Sequence, residues 1–512
     1  MQHTYLRYEC ADAFGLISAT ASSRVPQSNS TLAFVSSDKS FPIVLTSAGS
    51  HCIGFHLKTT NPTIKIGHRE DQNGGIGTGK ALNSAQVVCL DVAHEVGDGD
   101  YRVATGWVDG AVRVFAIASN ELNKEGGLGL VQTLLHDEEL DDEFMSREPL
   151  VLNGHSGSPI RSIIFDPKNS ARLASGSSDG AVVLWDVIEE CGLFRLLGHR
   201  GAITDIHFAS LENGSLDLLI TSSLDGLVKV WDLKGQCCVQ TIASHRGKVW
   251  AAALMVESPL PRPEVDGLDS GDSIGSQRAR LITGDDDGQA KVWSVHAPPR
   301  HRVLNHSSNN SPNQIAIVED SGDEASTDCC EYMGSLRIPA TMSAPDEHVS
   351  NIRFDSSGRY VGVLHANAKS IYIYAFRSPQ ESYRRKQRRL SRKRQKEKKA
   401  QEEETKQTVS KSKKRGILDD VADNSENTGT EVTSSEMLRE KGEAGDEFEF
   451  LGTATASHKI RNFVFVPWKE KGSIIRLVCS LTTNALEVVC LHRSKNRYVV
   501  HVIEMFFKVH NF

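Results

Sequence analysis

The sequence lacks the features that mark several large classes of protein. It has no run of about 18 apolar residues, which argues against a membrane-spanning helix. The first residues, Met1–Cys10, lack the charged start and apolar stretch of a secretory signal. The 10 cysteines are scattered without the spacing of zinc ligands, so we expect free thiols in a reducing compartment. These absences predict no membrane partner, no metal site and no disulfide framework.

A convincing cofactor or catalytic motif is also missing. Gly74–Lys80 has the glycine and lysine spacing of a phosphate-binding loop, but Ala81 stands where that motif needs Ser or Thr to hold magnesium. The segment that follows, Ala85–Val92, has a strand pattern, so no helix N-terminus would face a phosphate. No nucleophile or acid–base constellation stands out. We therefore expect no enzymatic activity, no cofactor and no small-molecule substrate.

What the sequence does contain is an internal repeat. Four segments place an Asp-Gly pair six residues before an aromatic residue, counted from the Asp. An Asp-Gly pair between two alternating apolar runs predicts a β-hairpin, because this turn needs positive φ. The copies are Asp109-Gly110 with Phe115, Asp179-Gly180 with Trp185, Asp225-Gly226 with Trp231, and Asp287-Gly288 with Trp293.

A histidine precedes three of these turns. His155, His199 and His245 each introduce an apolar strand, the first two directly after a glycine. A Gly-His pair followed by a Trp-Asp pair, with a period of about 40–45 residues, is the signature of WD40 blades. The spacing from Trp185 to Trp231 fits that period. The sequence therefore predicts an all-β fold, a seven-bladed WD40 β-propeller.

Weaker copies of the repeat complete the count of seven. Blade one is predicted at Ile43–Leu57, blade six at Ile352–Phe376, and blade seven at Ile460–Pro467 and Ile474–Leu491. An early strand at Tyr5–Tyr8 is expected to complete the last blade and latch the ring.

The expected division of the chain has four parts. Residues 1–376 hold blades one to six, 377–447 a basic and acidic insertion, 448–495 blade seven, and 496–512 a tail. Within that tail, Val499–Phe512 is an apolar run without obvious cover, and exposed runs of this kind aggregate or find partners.

The repeated polar residues have an expected structural role. Each His can hydrogen-bond the turn Asp, and a strand Ser such as Ser175 can link the His to the Trp. A buried network of this kind stabilises the fold only if its members are fully satisfied. We therefore interpret these residues as structural rather than catalytic or metal-binding. They are His155, Asp179, Trp185, His199, Asp225, Trp231, His245, Asp287 and Trp293.

The insertion concentrates the positive charge of a chain whose formal net charge is -7. Helix-forming residues dominate it without an apolar stripe, which predicts either an exposed charged helix or disorder. Basic runs of this density are typical of nuclear import signals and nucleic-acid contacts, although a merely solubilising loop is the alternative. The candidate residues are Arg384, Arg385, Lys386, Arg388, Arg389, Arg392, Lys393, Arg394, Lys413, Lys414 and Arg415.

Several segments resemble a known family beyond the generic repeat. They are Trp185–Thr204, Tyr5–Tyr8 followed by Phe14–Ile17, Val249-Trp250, Arg280–Gly284 and the basic insertion. In these segments the chain resembles the first propeller of the nucleolar WD-repeat proteins of the UTP-B module. That module belongs to the small-subunit processome, which assembles on U3 small nucleolar RNA. Members of the family continue into a second propeller and a C-terminal helical domain, so residues 496–512 are interpreted as a possible start of that second propeller.

The resemblance implies a function that the repeat alone does not. It implies a nuclear and nucleolar scaffold in small-subunit pre-ribosomal RNA processing, with other WD-repeat subunits and pre-ribosomal or small nucleolar RNA as partners. From the residues alone, a chromatin or ubiquitin-ligase adaptor remains the alternative, because propellers serve those roles equally well.

Overall fold

A computed structural model of the chain describes most of the repeated segments and part of the insertion. The described residues are 31–35, 43–49, 51–56, 62–67, 86–94, 101–117, 149–211, 216–257, 279–296, 329–337, 347–415, 443–466, 474–483, 485–494 and 497–503. The predicted latch at Tyr5–Tyr8 and the phosphate-loop-like segment Gly74–Lys80 lie outside these ranges.

The strands form seven four-stranded antiparallel sheets, each built from consecutive strands. Blade one has β1 to β4, at Leu32–Val35, Ile43–Ala48, His51–His56 and Pro62–Gly67. Blade two has β5 to β8, at Val87–His94, Tyr101–Trp107, Ala111–Ile117 and Leu150–Asn153. Blade three has β9 to β12, at Ile160–Asp166, Asn169–Ser177, Val182–Asp186 and Cys191–Leu196. Blade four has β13 to β16, at Ile203–Leu211, Leu216–Ser223, Val228–Asp232 and Cys237–Ile242.

The remaining three sheets complete the seven-bladed propeller that the repeat predicts. Blade five has β17 to β20, at Val249–Val256, Ala279–Asp285, Ala290–Val295 and Cys330–Ser335. Blade six has β21 to β24, at Val349–Phe354, Tyr360–His365, Ser370–Phe376 and Phe448–Thr455. Blade seven has β25 to β28, at Ile460–Phe465, Ile474–Leu481, Leu486–Ser494 and Arg497–Ile503.

The Asp-Gly pairs form the turns that the sequence indicates. In blades three and four, Gly180 and Gly226 have φ values of 81° and 83° and join the second strand to the third. At Gly180 a Cβ atom would also meet the carbonyl oxygen of His199 at 2.8 Å, so this glycine is required by its conformation and by close packing alike.

The first strands of neighbouring blades pack against one another in a closed ring. Each of β1, β5, β9, β13, β17, β21 and β25 contacts the next one around, and β25 contacts β1. Between the last and the first blade, Leu32 and Val44 share a buried apolar cluster with Val478, Val488 and Cys490. The core of the molecule therefore lies between the blades as well as within them.

The insertion does not separate two blades as predicted. Its two ends are joined by strand pairing, since Ser370–Phe376 pairs with Phe448–Thr455 and Phe376 lies opposite Phe448. Residues 377–447 therefore interrupt blade six between its third and fourth strands, and residues from Phe448 complete blade six rather than begin blade seven. Pairing across so long an insertion leaves no local sequence signal.

The predicted tail is also partly wrong. Arg497–Ile503 pairs with the third strand of blade seven, with Ile503 opposite Val488 and Arg497 opposite Ser494. The apolar residues from Val499 to Ile503 therefore belong to a sheet. Residues 504–512 lie outside the described part of the chain.

In the described part of the insertion, one helix lies near each end. Helix α1 spans Pro379–Arg415 and α2 spans Ala444–Glu447. Ser378 precedes α1 and its hydroxyl accepts a hydrogen bond from the Glu381 amide at 3.4 Å, while Pro379 occupies the first helical position, where no amide proton is needed. No helix in the described ranges is long and apolar enough to cross a membrane.

Candidate functional site

The His, Thr, Trp and Asp side chains of blade four form one continuous hydrogen-bonded chain. The Trp231 indole donates to Thr221 Oγ1 at 2.9 Å, and Thr221 contacts His199 Nε2 at 2.8 Å. His199 Nδ1 lies 3.0 Å from Asp225 Oδ2. Because a carboxylate only accepts, His199 donates from Nδ1, so its Nε2 accepts from the Thr221 hydroxyl. Every member of this buried network is thereby satisfied, which is the condition for a stabilising contribution.

Blade three departs from this arrangement at the aspartate. Ser175 Oγ joins His155 Nε2 and the Trp185 indole, each at 2.8 Å, as the sequence suggests. Asp179 Oδ1, however, lies 3.9 Å from His155 Nδ1, too far for a hydrogen bond. Asp179 instead accepts from Ala181 N at 2.9 Å and from Arg195 at 3.0 Å. The predicted His–Asp hydrogen bond is therefore absent from blade three.

Blade five uses a different aspartate from the predicted one. Thr283 joins the Trp293 indole to His245, at 2.9 and 3.0 Å. His245 Nδ1 lies 3.2 Å from Asp285, two residues before the turn position Asp287. Asp287 itself is exposed. Its selection from the sequence rested on its place before Gly288, whereas Asp285 is the buried carboxylate and also pairs with Lys291 at 3.0 Å.

Burial and hydrogen bonding shift the pKa values of the network histidines and aspartates. It lowers the pKa of His155 to about 4, so this ring is neutral at pH 7. Burial also lowers the pKa of His199, although Asp225 acts in the opposite direction. For Asp285, burial would raise the pKa, but hydrogen bonds from His245 and Lys291 outweigh it and the pKa falls to about 2. Burial thus favours the neutral form of His155 and His199.

The described residues contain no group of three or more His, Cys, Asp or Glu side chains that could hold a metal ion. His199, Asp225, His245 and Asp285 instead form hydrogen bonds within the blade networks.

The more distinctive arrangement lies where the insertion meets blade five. Arg280, on the second strand of blade five, donates twice to the Glu447 carboxylate of α2, at 2.6 and 2.7 Å. Both side chains are buried, and a bidentate arginine–carboxylate pair fixes orientation as well as position. From the other end of the insertion, Arg377 donates to the carbonyl oxygens of Gly445 and Phe448, at 3.2 and 3.1 Å. The ends of the insertion are therefore bound to each other and to blade five.

Helix α1 is bound to the same place by Arg389. Its guanidinium lies 2.7 Å from Glu443 and 3.0 Å from Asp446, at the start of α2. The next residue, Leu390, is 3% exposed. We name these contacts, together with the Arg280–Glu447 pair, the insertion clasp. Arg389 was predicted as one of the free basic residues, and the clasp shows that its charge is already paired.

The clasp leaves one side of α1 to solvent. Arg384, Arg385, Arg388 and Arg392 are all exposed, and their spacing puts them within roughly 100° around the helix. We call these four residues the basic face. Lys386 and Arg394 are half-buried, Lys393 is exposed, and Lys413, Lys414 and Arg415 form the last residues of α1.

Sequence reasoning missed four of the residues that hold the insertion. Arg280 and Glu447 lie far apart in the chain, and Asp446 belongs to a helix of only four residues. Leu390 has no apolar residue three or four positions before or after it, so it produces no stripe. The available signal was the capping pattern at Ser378, Pro379 and Glu381, which predicts the start of an ordered helix.

Comparisons with known proteins identify the WD repeat and go little further. The family model for the WD domain, G-beta repeat, matches residues 147–186 and 191–232, which contain the Trp185 and Trp231 repeats. A search of curated proteins gave no match. Among solved structures, a chain of the "Crystal Structure of Mitotic Checkpoint Complex" is 11% identical, with 87% of this chain and 83% of that chain covered and a TM-score of 0.46. The chain carries WD40 repeats on a seven-bladed propeller of the WD type, a scaffold fold that is generally non-catalytic and generally binds other proteins.

Proposed function

We propose that the chain is a nucleolar scaffold of small-subunit ribosome biogenesis. In this proposal the propeller binds other protein subunits, and the basic face binds pre-ribosomal or small nucleolar RNA. The observation that carries it is the basic face itself, four exposed arginines on a helix that the insertion clasp fixes to blade five.

Without a bound partner, the basic face destabilises the helix that carries it. Arg384, Arg388 and Arg392 follow one another at intervals of four residues, and like charges at this spacing destabilise a helix by about 0.2–0.5 kcal/mol per pair. Of the acidic residues near this part of α1 that the structure describes, Glu443 and Asp446 are engaged by Arg389, which lies beside the basic face but outside it. A bound polyanion would supply negative charge to this face. Arginine is the residue best suited to bind a phosphate through two hydrogen bonds.

The resemblance to the UTP-B proteins supports the choice of RNA and of compartment. It favours a ribosomal precursor over other polyanions and the nucleolus over other sites. Arg384–Arg394 and the second cluster, Lys413–Arg415, have the composition of nuclear import signals.

A salt series tests the RNA contact directly. We expect the logarithm of the binding constant to fall linearly with the logarithm of salt concentration, by about 0.7 per phosphate contact on single strands. Changing the four residues of the basic face to alanine should flatten that slope by about 2–3 and weaken binding to two unrelated RNAs alike. The matched control removes four exposed basic residues elsewhere, Lys168, Arg200, Arg246 and Arg359. If both variants lose the same slope, net charge rather than the basic face is responsible.

Affinity purification with RNA and protein identification tests the cellular role. The proposal expects small-subunit precursors and other WD-repeat proteins with the parent chain, and loss of the RNA with the basic-face variant. Histones or ubiquitin-ligase subunits without pre-ribosomal RNA would instead establish the adaptor function. Imaging of a variant with alanines at the basic face and at Lys413–Arg415 tests import, since its continued accumulation in the nucleolus would rule out these residues as the signal.

A further inference from the structure

A cavity of about 350 Å³ lies between the beginning of α1, helix α2 and the outer strand of blade five. Tyr332 of blade five and Tyr383 of α1 both line it, and they are 49% and 47% exposed. The cavity therefore opens to solvent beside two tyrosine rings that come from different elements. Its volume is at the low end of the roughly 300–1,000 Å³ of small-molecule sites, enough for one planar group.

A buried hydroxyl inside this cavity is unsatisfied. Ser382 lines the cavity and is 7% exposed, yet its Oγ atom has no hydrogen-bond partner within the part of the chain that the structure describes. Buried polar groups are nearly always paired in native proteins, so each exception needs an explanation. A ligand atom entering the cavity would supply the missing partner, and the hydroxyl can donate or accept.

The charged groups around the cavity are of both signs, which suits the polar edge of a planar base. Lys386 lines the same cavity, and among its acidic residues Asp446 and Glu447 are already engaged by Arg389 and Arg280. Glu331 also lines it and can accept from the amino group of a base.

A second groove of about 590 Å³ shares Tyr332 and Met333 with the cavity. It is lined by the exposed cations Arg337 and Lys393 and by the clasp residue Arg389. The two spaces thus put aromatic rings beside a path of positive charge, which is the combination by which proteins hold single-stranded nucleic acid.

We propose that the cavity between Tyr332 and Tyr383 receives one unstacked base of a single-stranded RNA whose backbone passes Arg337 and Lys393. The proposal rests on the RNA-binding function proposed above and names where a base is held. Splayed bases stacked on aromatic side chains are the usual target of RNA recognition outside duplexes. Ser382 and Lys386 then hydrogen-bond the base edge or its ribose, while the basic face on the other side of α1 contacts phosphates.

The test compares base and phosphate contributions with the full chain. The probe is a fluorescently labelled 12-nucleotide RNA, and the competitor is an RNA of the same length and charge whose central nucleotides are abasic. Changing Tyr383 to Ala should weaken binding by about 5- to 150-fold, the loss that corresponds to one stacked base, without changing the salt slope. Tyr383→Phe keeps the ring and is expected to bind as the parent does. Alanine is a strong helix former and Tyr383 is half exposed, so Tyr383→Ala should fold normally.

The outcomes separate this proposal from the proposed function. The parent should prefer the intact RNA to the abasic one, and Tyr383→Ala should bind both alike. If the parent binds RNA with the expected salt slope but Tyr383→Ala is as tight as the parent, the base cavity is refuted while the scaffold function stands. A parent that binds no RNA overturns both. If a poly-glutamate peptide binds as tightly as RNA and loses as much in Tyr383→Ala, the cavity serves an acidic peptide and the proposal fails.

Discussion

At the scale of single residues, blade five shows which aspartate accepts a hydrogen bond from the repeat histidine. Burial indicates that residue better than its position in the repeat does. Asp287 has the expected place before Gly288, but Asp285 holds His245 and Lys291. Asp285→Ala leaves the buried His245 without its acceptor and should destabilise the protein by about 1–3 kcal/mol. Asp287→Ala removes an exposed side chain and should stay within about 0.5 kcal/mol of the parent. Denaturant unfolding of the two variants decides the assignment, which is wrong if Asp287→Ala is the more damaging.

The same rule applies in blade four, where the turn position and the buried acceptor coincide. Asp225 accepts from His199 and from the amides of Arg200 and Leu227. In blade four the turn aspartate is therefore also the acceptor for the histidine, and Ser223 stands at the position that corresponds to Asp285.

Protonation of His155 links stability to pH. Burial lowers its pKa from about 6.5 to about 4, so the unfolded chain takes up a proton at a higher pH than the folded one. The folded state is therefore favoured above pH 6.5 and loses this contribution as the pH falls towards 4. Between pH 7 and pH 5 the loss is about 2 kcal/mol for this one group. His155→Gln should show a shallower decline of unfolding free energy over that range, whereas an unchanged decline would mean that His155 is not held neutral.

At the scale of elements, the local sequence pattern predicts the order of strands within most blades. It does not predict the strands of blade six, which the insertion interrupts. Asp-Gly turns and alternating apolar residues locate blades two to five, because hairpins are specified by neighbouring residues. Strand β24 is specified by its pairing with β23 across the insertion, a non-local contact that no local pattern signals. Docking of α1 is hidden for a related reason, since Arg389 pairs with Glu443 and Asp446, which are distant from it in the sequence.

The insertion clasp should be separable from the basic face by mutation. Arg389→Ala leaves Asp446, which is 6% exposed, without the cation it faces, so the start of α1 should detach more often from blade five. We expect a loss of about 1–3 kcal/mol in local opening free energy, measured as faster amide hydrogen exchange in the first turns of α1. The neighbour Arg388 is exposed, and Arg388→Ala should leave exchange unchanged while weakening RNA binding. Equal exchange in both variants would show that the clasp does not hold the helix.

At the scale of the whole molecule, the propeller is closed by side chains that join separate sheets. Within the described residues each blade is made of consecutive strands, and none of these strands is shared between the first blade and the last. Packing between neighbouring blades is tight enough to exclude even a methyl group. At Gly176 and Gly284 a Cβ atom would lie 2.6 and 2.5 Å from the first strand of the following blade, closer than real side chains pack.

Asn462 is the polar counterpart of this packing at the closing junction. It is 3% exposed on the first strand of blade seven, and its Nδ2 donates to Thr31 Oγ1 beside blade one at 2.8 Å. Its Oδ1 accepts from Asn351 of blade six, so one side chain joins three consecutive blades. Asn462→Ala should lower the unfolding free energy by about 2–3 kcal/mol, because buried partners in two other blades are stranded. Asn153→Ala, at an exposed strand end, is the matched control and should have little effect. If thermal unfolding of Asn462→Ala keeps the parent's midpoint, the apolar cluster of Leu32, Val44 and Val478 closes the ring unaided.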